Sequence, residues 1–464
     1  MGDSAEEGRL ASELERALQP IYGPGLRVTN LVRLPGGASR ETLQFDVERS
    51  GESAAALILR RDFAGRPSSP GGMGLEARVL RAARQAGLAV PEVVMSCDGP
   101  ECWETAGIVM ERVRGETIAR RILREAEFAE ARPKLVAQCG RFLGGLHGID
   151  PGPISGLALQ DALVTCRATY ESVGMISPTF EYAFRWLSAH RPPPSPARAI
   201  VHGDFRLGNL IVDENGLAAV LDWENVHLGD PLEDLGWFCV KAWRFGATAP
   251  VAGVGSYEDL LTAYAEAGGP PVSRDLLRWW ELFGTLRWGV ICMGQASVHL
   301  TGAVRSVELA AIGRRVCEQE WDLLSMLCPD EVVTMRPSPI GPEAGGIDLQ
   351  GAPSLQELVV AVREFLQDDV LPAVQGRTHF HTRVAVNVLG MVEREVLTGA
   401  ARLERYVTEL TKIGVQSTED AAEGIRSGRF DEQPDDLAPF LVSSVYDKLS
   451  VSNPKYLLPA EARS

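Results

Sequence analysis

The segment Val201–Asn209, which reads VHGDFRLGN, decides the fold predicted for this chain. It is flanked by two apolar stretches, Ala199–Val201 and Leu210–Val212, with the length and composition of buried strands. The polar loop between them carries Asp204 and Asn209. One turn of loop can therefore aim a carboxylate at a reacting hydroxyl while a neutral amide oxygen from the same backbone meets Mg²⁺.

A second carboxylate follows this loop. The apolar stretch Ala218–Leu221 ends at Asp222, and the turn residues Asp213–Gly216 predict a hairpin that returns the chain towards Asn209. A carboxylate in that position can bind Mg²⁺ across the hairpin. Either acid alone could be an exposed residue of an ordinary hairpin, but the ordered set favours a catalytic centre.

The spacing of these residues resembles the catalytic loop of kinases. Together with Gly229–Gly236, which reads GDPLEDLG, it makes the chain similar over about residues 20–328 to the aminoglycoside phosphotransferase and choline kinase-like group, the phosphotransferase enzyme family. The resemblance implies an α+β, bilobal protein-kinase-like fold, with a small antiparallel β-sheet N-lobe and a mainly helical C-lobe. It also implies ATP and Mg²⁺ as cofactors, Asp204 as catalytic base, and Asn209 and Asp222 as metal ligands.

Further polar side chains are expected to support the loop rather than to react. By the same resemblance, Asp234 braces the catalytic loop from the following helix, whereas Asp230 could support the loop or cap that helix. We expect His202 to support the loop by hydrogen bonding rather than to titrate in the reaction. His147, at the end of a predicted helix, is also interpreted as structural.

Nucleotide binding is predicted from the N-terminal residues. Gly36, Gly37 and Ser39 lie where family members place the turn over the nucleotide phosphates, although Gly-Gly between strands is more often only a hairpin turn. Arg60 falls where a kinase fold usually has the strand lysine, and Glu76 is its expected ion-pair partner. The alternative is that the arginines at this strand end face water.

The segment containing Met110, Glu111 and Val113 resembles the hinge between the lobes of a kinase fold. Main-chain groups of these residues would meet the adenine edge. Because such contacts use backbone atoms, the sequence does not distinguish ATP from GTP.

The chain divides by composition into an N-lobe, a C-lobe, a Pro- and Gly-rich linker and a small all-α domain. The predicted bounds are 1–112, 113–328, 329–353 and 354–464. Ser354–Glu357 has the form of a capping box, and further helices are expected at Thr382–Thr398 and Ala401–Ile413. This domain resembles small helical domains of unknown function that accompany some bacterial phosphotransferases, and a homodimer through its helices is one role for it.

Composition excludes several classes of protein. The 464 residues carry a formal net charge of -16, which disfavours nucleic acid or an anionic membrane as partner. No apolar run is long enough to span a membrane and no secretory signal is visible, so a cytoplasmic location is expected. The eight cysteines are scattered without a paired CxxC spacing, which favours reduced, buried thiols over zinc ligands.

The predicted reaction is transfer of the ATP γ-phosphoryl group to a hydroxyl of a small molecule, with hydroxyacyl-CoA, an amino sugar or an amino alcohol as acceptor. A catalytically weak pseudokinase or regulatory nucleotide-binding protein is the alternative, motivated by Arg60 in place of lysine. Nucleotidyl transfer is a third interpretation. We find no strand-linked GxGxxG of a dinucleotide-binding dehydrogenase.

Overall fold

The computed structural model describes most of the chain and groups it into two compact units. The described residues are 2–34, 40–49, 52–63, 72–99, 103, 105–193, 195, 198–336, 353–431 and 434–458. Unit 1 comprises Met1–Asp161 and Pro193–Glu281, and unit 2 comprises Ala162–Pro192 and Leu282–Ser464.

Strands are concentrated in the N-terminal half of the chain, and helices dominate the remainder. The strands are β1 (Arg27–Arg33), β2 (Arg40–Arg49), β3 (Glu52–Asp62), β4 (Val93–Cys97), β5 (Gly107–Glu111), β6 (Ala199–Val201), β7 (Leu210–Asp213), β8 (Gly216–Val220) and β9 (His227–Gly229). The α-helices are α1 (Gly2–Tyr22), α2 (Gly72–Gln85), α3 (Ala119–Arg124), α4 (Arg132–His147), α5 (Ala162–Val173), α6 (Pro178–Ala189), α7 (Leu232–Cys239), α8 (Tyr257–Glu266), α9 (Arg274–Leu300), α10 (Val307–Arg314), α11 (Val316–Leu327), α12 (Pro329–Thr334), α13 (Leu355–Glu364), α14 (Leu371–Ala373), α15 (Gly376–Lys412), α16 (Thr418–Ser427) and α17 (Pro434–Ser452).

Unit 1 contains a five-stranded antiparallel sheet in the order β1-β2-β3-β5-β4. Alternation along β2 buries Phe45 and its neighbours two residues away on one face, where they pack with Leu14 and Leu18 of α1. The opposite face carries Ile108 and Met110 against α2. This two-sided burial places side chains of β3 opposite α2, where the nucleotide site was predicted.

The helical part of unit 1 is organised around close contact between α4 and α8. Gly140 and Gly144 of α4 allow this contact, because an added Cβ at each would lie 2.7 Å from the carbonyl oxygen of Leu260 or of Tyr264. The short pairs β6–β9 and β7–β8 carry the polar loop and the predicted hairpin. The predicted α+β, kinase-like architecture is confirmed, with an antiparallel sheet in the N-terminal part and helices dominating the rest.

Unit 2 is helical, and its core gathers residues of α11, α15, α16 and α17. The capping box at Ser354 and Glu357 is confirmed at the start of α13. Two helices were predicted between Thr382 and Ile413, and this prediction is wrong because α15 runs without interruption from Gly376 to Lys412. Gly399, in the expected gap, costs a helix only about 1 kcal/mol relative to alanine, which packing on both sides of it can outweigh.

Other expectations have mixed outcomes. The predicted linker begins with α12, and its residues 337–352 lie outside the described part of the chain. Six cysteines are free and buried, but Cys97, at the end of β4, is disulfide-bonded, so the expectation of reduced thiols throughout is wrong there. The scattered spacing carries no signal of that bond. None of the described helices combines the length and hydropathy needed to cross a membrane.

Candidate active site

Three donors hold the carboxylate of Asp204, which lies in the loop after β6. Two of them belong to the same loop and one belongs to α7. Trp237 Nε1 donates to Oδ1 over 2.9 Å, Arg206 Nε lies 3.1 Å from the same oxygen, and Asn209 Nδ2 donates to Oδ2 over 2.7 Å. Because the Asn209 nitrogen is used in this way, its amide oxygen is the atom that can face a cation. The geometry therefore fixes a carboxylate in one orientation while it stays partly exposed.

The base of this loop rests on Asp234, whose side chain is fully buried in α7. Its two oxygens accept the backbone N–H of His202 at 2.7 Å and of Gly203 at 2.9 Å, and His147 Nε2 lies 3.3 Å away. Burial alone would raise the pKa of Asp234, but the hydrogen bond and charge of His147, with lesser contributions from His202, hold it below its usual value. A buried carboxylate with these partners stays ionised and orders the loop.

His202 joins the start of the loop to the end of the hairpin. Its Nε2 lies 3.0 Å from the carbonyl oxygen of Leu221, so it donates, and its Nδ1 accepts the N–H of Asp204 at 3.1 Å. The ring packs against Trp223 with centroids 4.6 Å apart. Both nitrogens are engaged in structural hydrogen bonds, which leaves the imidazole no free position for proton transfer.

Gly203 shows why this loop needs a glycine. Its φ is +80°, and a Cβ there would lie 2.6 Å from the carbonyl oxygen of Asn225. A larger residue would therefore push the loop away from the segment that follows the hairpin.

Asp222 lies two residues after the end of β8, and its neighbour Leu221 donates its N–H to Asn209 O at 2.8 Å. Its carboxylate accepts a hydrogen bond from Arg60. Burial acts to raise the pKa of Asp222, but the charge and hydrogen bond of Arg60 outweigh it and lower the pKa. The carboxylate of Asp222 and the amide oxygen of Asn209 are both hard oxygen donors, the type that Mg²⁺ prefers.

Two protein oxygen donors, one from Asp222 and one from Asn209, are as many as Mg²⁺ usually takes from a protein. Within the described residues, no three or more His, Cys, Asp and Glu side chains group in a way that could hold a metal ion. Mg²⁺ usually takes one or two protein ligands and completes its shell with water and substrate phosphates.

Arg60 and Glu76 lie together, as the sequence predicted. Arg60 Nη1 is 2.6 Å from Glu76 Oε1, and Arg60 Nη2 contacts Asp222 and lies 3.7 Å from Glu224. Burial acts to lower the pKa of Arg60, but the charges of Glu76 and Asp222 outweigh it and raise the pKa. The guanidinium is thus a fixed cation between the sheet and the hairpin.

A second arginine at this point was missed from the sequence. Arg40 is buried, makes an ion pair with Glu76, and its Nε lies 3.4 Å from Asp62 and 3.9 Å from Glu224. The antiparallel register pairs Thr42 with Arg60, and alternation then puts the Arg40 side chain on the same face. The register between β2 and β3 would have identified Arg40, but the sequence analysis predicted these strands without their register.

The predicted hinge residues lie at and just after the end of β5, with Met110 and Glu111 inside the strand and Val113 two residues beyond it. Met110 is buried and pairs with Ile58 of β3, whereas Glu111 is exposed and its N–H donates to Glu92 O at 2.9 Å. Within the described residues, the N–H of Val113 donates no hydrogen bond. The backbone N–H of Val113 is thus available as a hydrogen-bond donor at the hinge.

The predicted phosphate-covering residues Gly36, Gly37 and Ser39 lie outside the described part of the chain. Asp230 lies at the start of α7, where it accepts the N–H of Leu232 at 3.0 Å and of Ser195 at 3.2 Å. Burial raises its pKa, and these two hydrogen bonds only partly oppose the increase. Its contacts are those of a residue that caps a helix start.

Two tryptophans complete one side of the site, and the sequence analysis missed both. Arg206 packs over the ring of Trp243 at 5.0 Å, and the rings of Trp237 and Trp243 are 5.2 Å apart. Trp237 follows Asp234 by three positions in α7, so both side chains lie on the same face of the helix. That helical phase was the signal that could have identified it.

Two family models match parts of this chain. The model of the phosphotransferase enzyme family (APH) matches residues 30–276, and the model of a domain of unknown function, DUF6285, matches residues 372–456. A solved structure assigned as an aminoglycoside phosphotransferase of Ralstonia eutropha has a TM-score of 0.54 at 21% identity, covering 67% of this chain and 97% of its own. That likeness supports the fold.

Curated relatives extend beyond this chain. Acyl-CoA dehydrogenase family member 11 of Gallus gallus is 25% identical over 411 residues, covering 82% of this chain and 50% of its own length. Acyl-CoA dehydrogenase family member 10 of Mus musculus is 27% identical over 315 residues, covering 61% and 29% respectively. This chain therefore spans half or less of these two relatives. Since the family model matches more than half of the chain, the protein belongs to the phosphotransferase enzyme family.

Proposed function

We propose that this protein transfers the γ-phosphoryl group of ATP to a hydroxyl of a small molecule. The observation that carries the proposal is the carboxylate of Asp204, held in one orientation by Trp237, Arg206 and Asn209. A kinase-type reaction needs a carboxylate held in this way, because the acceptor hydroxyl and the metal-bound phosphates must meet in line.

Each side chain has a distinct task in the proposed reaction. Asp204 orients the acceptor hydroxyl and accepts its proton, while Asn209 and Asp222 hold Mg²⁺, which neutralises phosphate charge when bound. Arg60 binds phosphate oxygens, and its ion pair with Glu76 keeps the guanidinium in place. The spare N–H of Val113 supplies a main-chain donor for the adenine edge.

In the proposed reaction Asp234 acts indirectly, through the position of the catalytic loop. It accepts the N–H groups of the two residues that precede Asp204, so it sets where the catalytic carboxylate lies. We therefore assign it, with His202 and His147, as a positioning residue rather than as a catalytic one.

For the acceptor, the charge next to Asp204 favours a neutral or anionic molecule. Arg206 lies 3.1 Å from the Asp204 carboxylate and neutralises it, so a cationic amino sugar or amino alcohol would meet no net negative charge at its reacting end. The tryptophan pair, Trp237 and Trp243, supplies apolar surface on the same side. Among the predicted acceptors, a hydroxyacyl-CoA fits this environment best, and the acyl-CoA dehydrogenase names of the relatives point the same way.

The alternative is a regulatory nucleotide-binding protein without turnover. Its supporting observation is the hydrogen bond between Arg60 and Asp222, because a metal ligand held by a permanent cation must exchange partners before it can bind Mg²⁺. Asp222 is not fully buried, so this exchange does not require an unpaired charge in a dry interior.

Turnover and product mass distinguish these functions. Purified protein with ATP and Mg²⁺ is offered hydroxyacyl-CoAs, amino sugars and amino alcohols, and the product mass is recorded beside that of Asp204→Asn. We expect a hydroxyacyl-CoA to gain one phosphoryl group, with a rate at least about a hundredfold lower in the variant.

The matched control is Asp275→Asn, an exposed carboxylate in the first turn of α9, which should retain full activity. Gain of AMP instead of phosphate would indicate nucleotidyl transfer. ATP binding without turnover on any acceptor would favour the regulatory alternative, and unchanged turnover in Asp204→Asn would refute the assigned base.

A further inference from the structure

Unit 2 contains a cavity of about 480 Å³ among α11, α15, α17 and the turn between α5 and α6. Every residue that lines it belongs to unit 2, so it is not part of the Asp204 site. Its volume falls in the range of cavities that bind small molecules, which is roughly 300–1,000 Å³.

One side of this cavity is apolar. Met175 and Ile176 contribute from the turn between α5 and α6, Met293 from α9, and Val316 and Val451 from α11 and α17. The flexible methionine side chains can adapt to the shape of a bound chain. This wall suits an aliphatic group rather than a strongly polar one.

Polar groups, among them the buried Glu320 and Ser177, occupy another part of the wall. Lys448 Nζ lies 2.9 and 3.0 Å from the two oxygens of Glu320, which is only 2% exposed, and Ser177 Oγ donates to Glu320 at 2.7 Å. Burial acts to lower the pKa of Lys448, but the charge of Glu320 outweighs it and raises the pKa, so the ammonium stays charged. A fixed ion pair therefore lines the cavity.

Two arginines of α15 share a single carboxylate next to that pair. Arg402 Nη1 lies 2.6 Å from Asp447 Oδ1 and Arg405 Nη1 lies 3.3 Å from the same oxygen, while Arg402 Nε donates to Thr398 Oγ1 at 3.0 Å. Arg402 Nη2 has no hydrogen bond to any described residue. The Nη2 group of Arg402 can thus donate a hydrogen bond to an acceptor from solution.

The remaining carboxylates of the cavity have their own cationic partners. Glu395 pairs with Arg314 at 2.9 Å, and Glu409 pairs with Lys412 at 2.6 Å. Four cations and four anions line the cavity, so the lining has no formal net charge, and the unused Arg402 Nη2 is the group that favours an anion there. The cations are Arg314, Arg402, Arg405 and Lys448, and the anions are Glu320, Glu395, Glu409 and Asp447.

We propose that this cavity binds a small organic carboxylate with an aliphatic chain. The carboxylate accepts a charge-assisted hydrogen bond from Arg402 Nη2, and the chain lies against the apolar wall. Residues from the DUF6285 match and residues from the preceding helices both line the cavity, so the ligand stabilises the contact between these two parts of unit 2. The proposal does not depend on phosphotransferase activity.

Gly399 of α15 provides a variant that blocks the cavity without weakening the helix. It lines the cavity, and an added Cβ would meet only Glu395 Cγ, at 3.7 Å, which is ordinary contact. Gly399→Leu therefore places a bulky side chain at the cavity wall while replacing a poor helix former with a good one. Loss of binding in this variant could not be ascribed to unfolding.

The experiment measures octanoate binding to the full chain by titration calorimetry, with octylamine and acetate as comparison probes. We expect saturable octanoate binding, no binding of octylamine, and weaker binding of acetate because it lacks the chain. Arg402→Gln should weaken octanoate binding by about tenfold or more, as expected for the loss of a hydrogen bond to a charged group. Gly399→Leu should abolish it while the thermal midpoint stays equal or rises.

Arg363→Gln is the matched control. Arg363 forms a comparable ion pair, with Nε 3.2 Å from Glu393, but does not line the cavity. It should bind octanoate like the natural chain. Absence of octanoate binding, equal binding of octylamine, or unchanged binding in Gly399→Leu would each overturn the proposal.

Discussion

Asp222 and Asp234 are two carboxylates of one unit with lowered pKa values and opposite surroundings. Asp234 is 0% exposed, and backbone N–H groups and His147 satisfy it. Asp222 has a side chain that is 28% exposed, and its partner in the sheet is the cation Arg60. Partners that belong to the backbone cannot leave, whereas a partner at the end of a long side chain can be exchanged for a metal ion.

Asp222 and Asp234 also differ in backbone conformation. Asp222 has a φ of +68°, in the left-handed region that a non-glycine residue enters at a cost of about 1–2 kcal/mol. Asp234 lies in the regular helix α7. We infer that the fold tolerates strain where a side chain must face a ligand and keeps regular geometry where a side chain must hold the loop.

The largest expected effect comes from Asp222→Asn. If Asp222 serves Mg²⁺, turnover should fall by about 10²–10³, because a neutral amide replaces the charge that holds the cation. Stability to urea should change little, since Arg60 keeps Glu76 and Glu224 as partners. Steady-state kinetics and urea unfolding measure the two effects.

Asp213→Asn, at the other end of the same hairpin, is the control and should keep full turnover. If Asp222→Asn kept its activity, or lost several kcal/mol of stability, Asp222 would be a scaffold residue like Asp234.

Asp234→Ala should show the reverse pattern in stability. Its loss leaves the N–H groups of His202 and Gly203 buried without an acceptor, at about 1–3 kcal/mol for each unsatisfied group, so we expect the free energy of unfolding to fall by roughly 2–4 kcal/mol. Urea unfolding measures this change.

The control is Asp213→Ala, because Asp213 also accepts two backbone N–H groups, at 2.7 and 3.1 Å, but at a partly exposed turn where water can replace it. Equal losses in the two variants would show that burial of the Asp234 bonds adds nothing.

Arg60→Lys tests the cation that pairs with Asp222, and its expected effect is smaller than that of the two aspartate variants. Lysine keeps the positive charge but cannot contact Glu76 and Asp222 with two separate nitrogens, so we expect KM for ATP to rise by up to about tenfold while kcat is largely kept. Arg61→Lys, on the other face of β3 with Glu41 at 2.5 Å, should leave KM unchanged. A complete loss of turnover in Arg60→Lys would instead make the fork geometry essential.

The sequence predicted the parts of this site that depend on local spacing. The loop with Asp204 and Asn209 and the hairpin that carries Asp222 follow from patterns within one or two neighbouring elements, whereas the Arg60–Glu76 pair was expected from the resemblance to the kinase fold. Turn residues and strand alternation act over a few positions, so they can be read without a partner structure.

What the sequence did not predict depends on register and on distant packing. Arg40 joins the site only because β2 pairs with β3 in one register, and Trp237 reaches Asp204 only because α7 packs beside the loop. The uninterrupted helix α15 overrode the local signal of Gly399 for the same reason, since tertiary packing can outweigh propensity. Residues whose place depends on strand register or on helix packing are therefore harder to predict from sequence than residues of a single loop or hairpin.

The smallest expected effect comes from His227, a buried scaffold residue whose Nε2 lies 3.2 Å from Glu233 Oε2. Burial acts to lower the pKa of His227, but the hydrogen bond and charge of Glu233 outweigh it and raise the pKa. A folded pKa above the unfolded value means that the protonated pair stabilises the fold below the unfolded pKa, near 6.5. This contribution is lost as the pH rises through the folded pKa.

His227→Gln should therefore reduce the free energy of unfolding more at about pH 6 than at about pH 9, as measured by urea unfolding at both values. Glu233→Gln should remove the same pH dependence, because the raised pKa depends on its charge. Equal losses at the two pH values would mean that His227 acts only through packing and neutral hydrogen bonds. In that case the pair of His227 and Glu233 would contribute the same stability at both pH values, unlike the charged pair of Asp222 and Arg60.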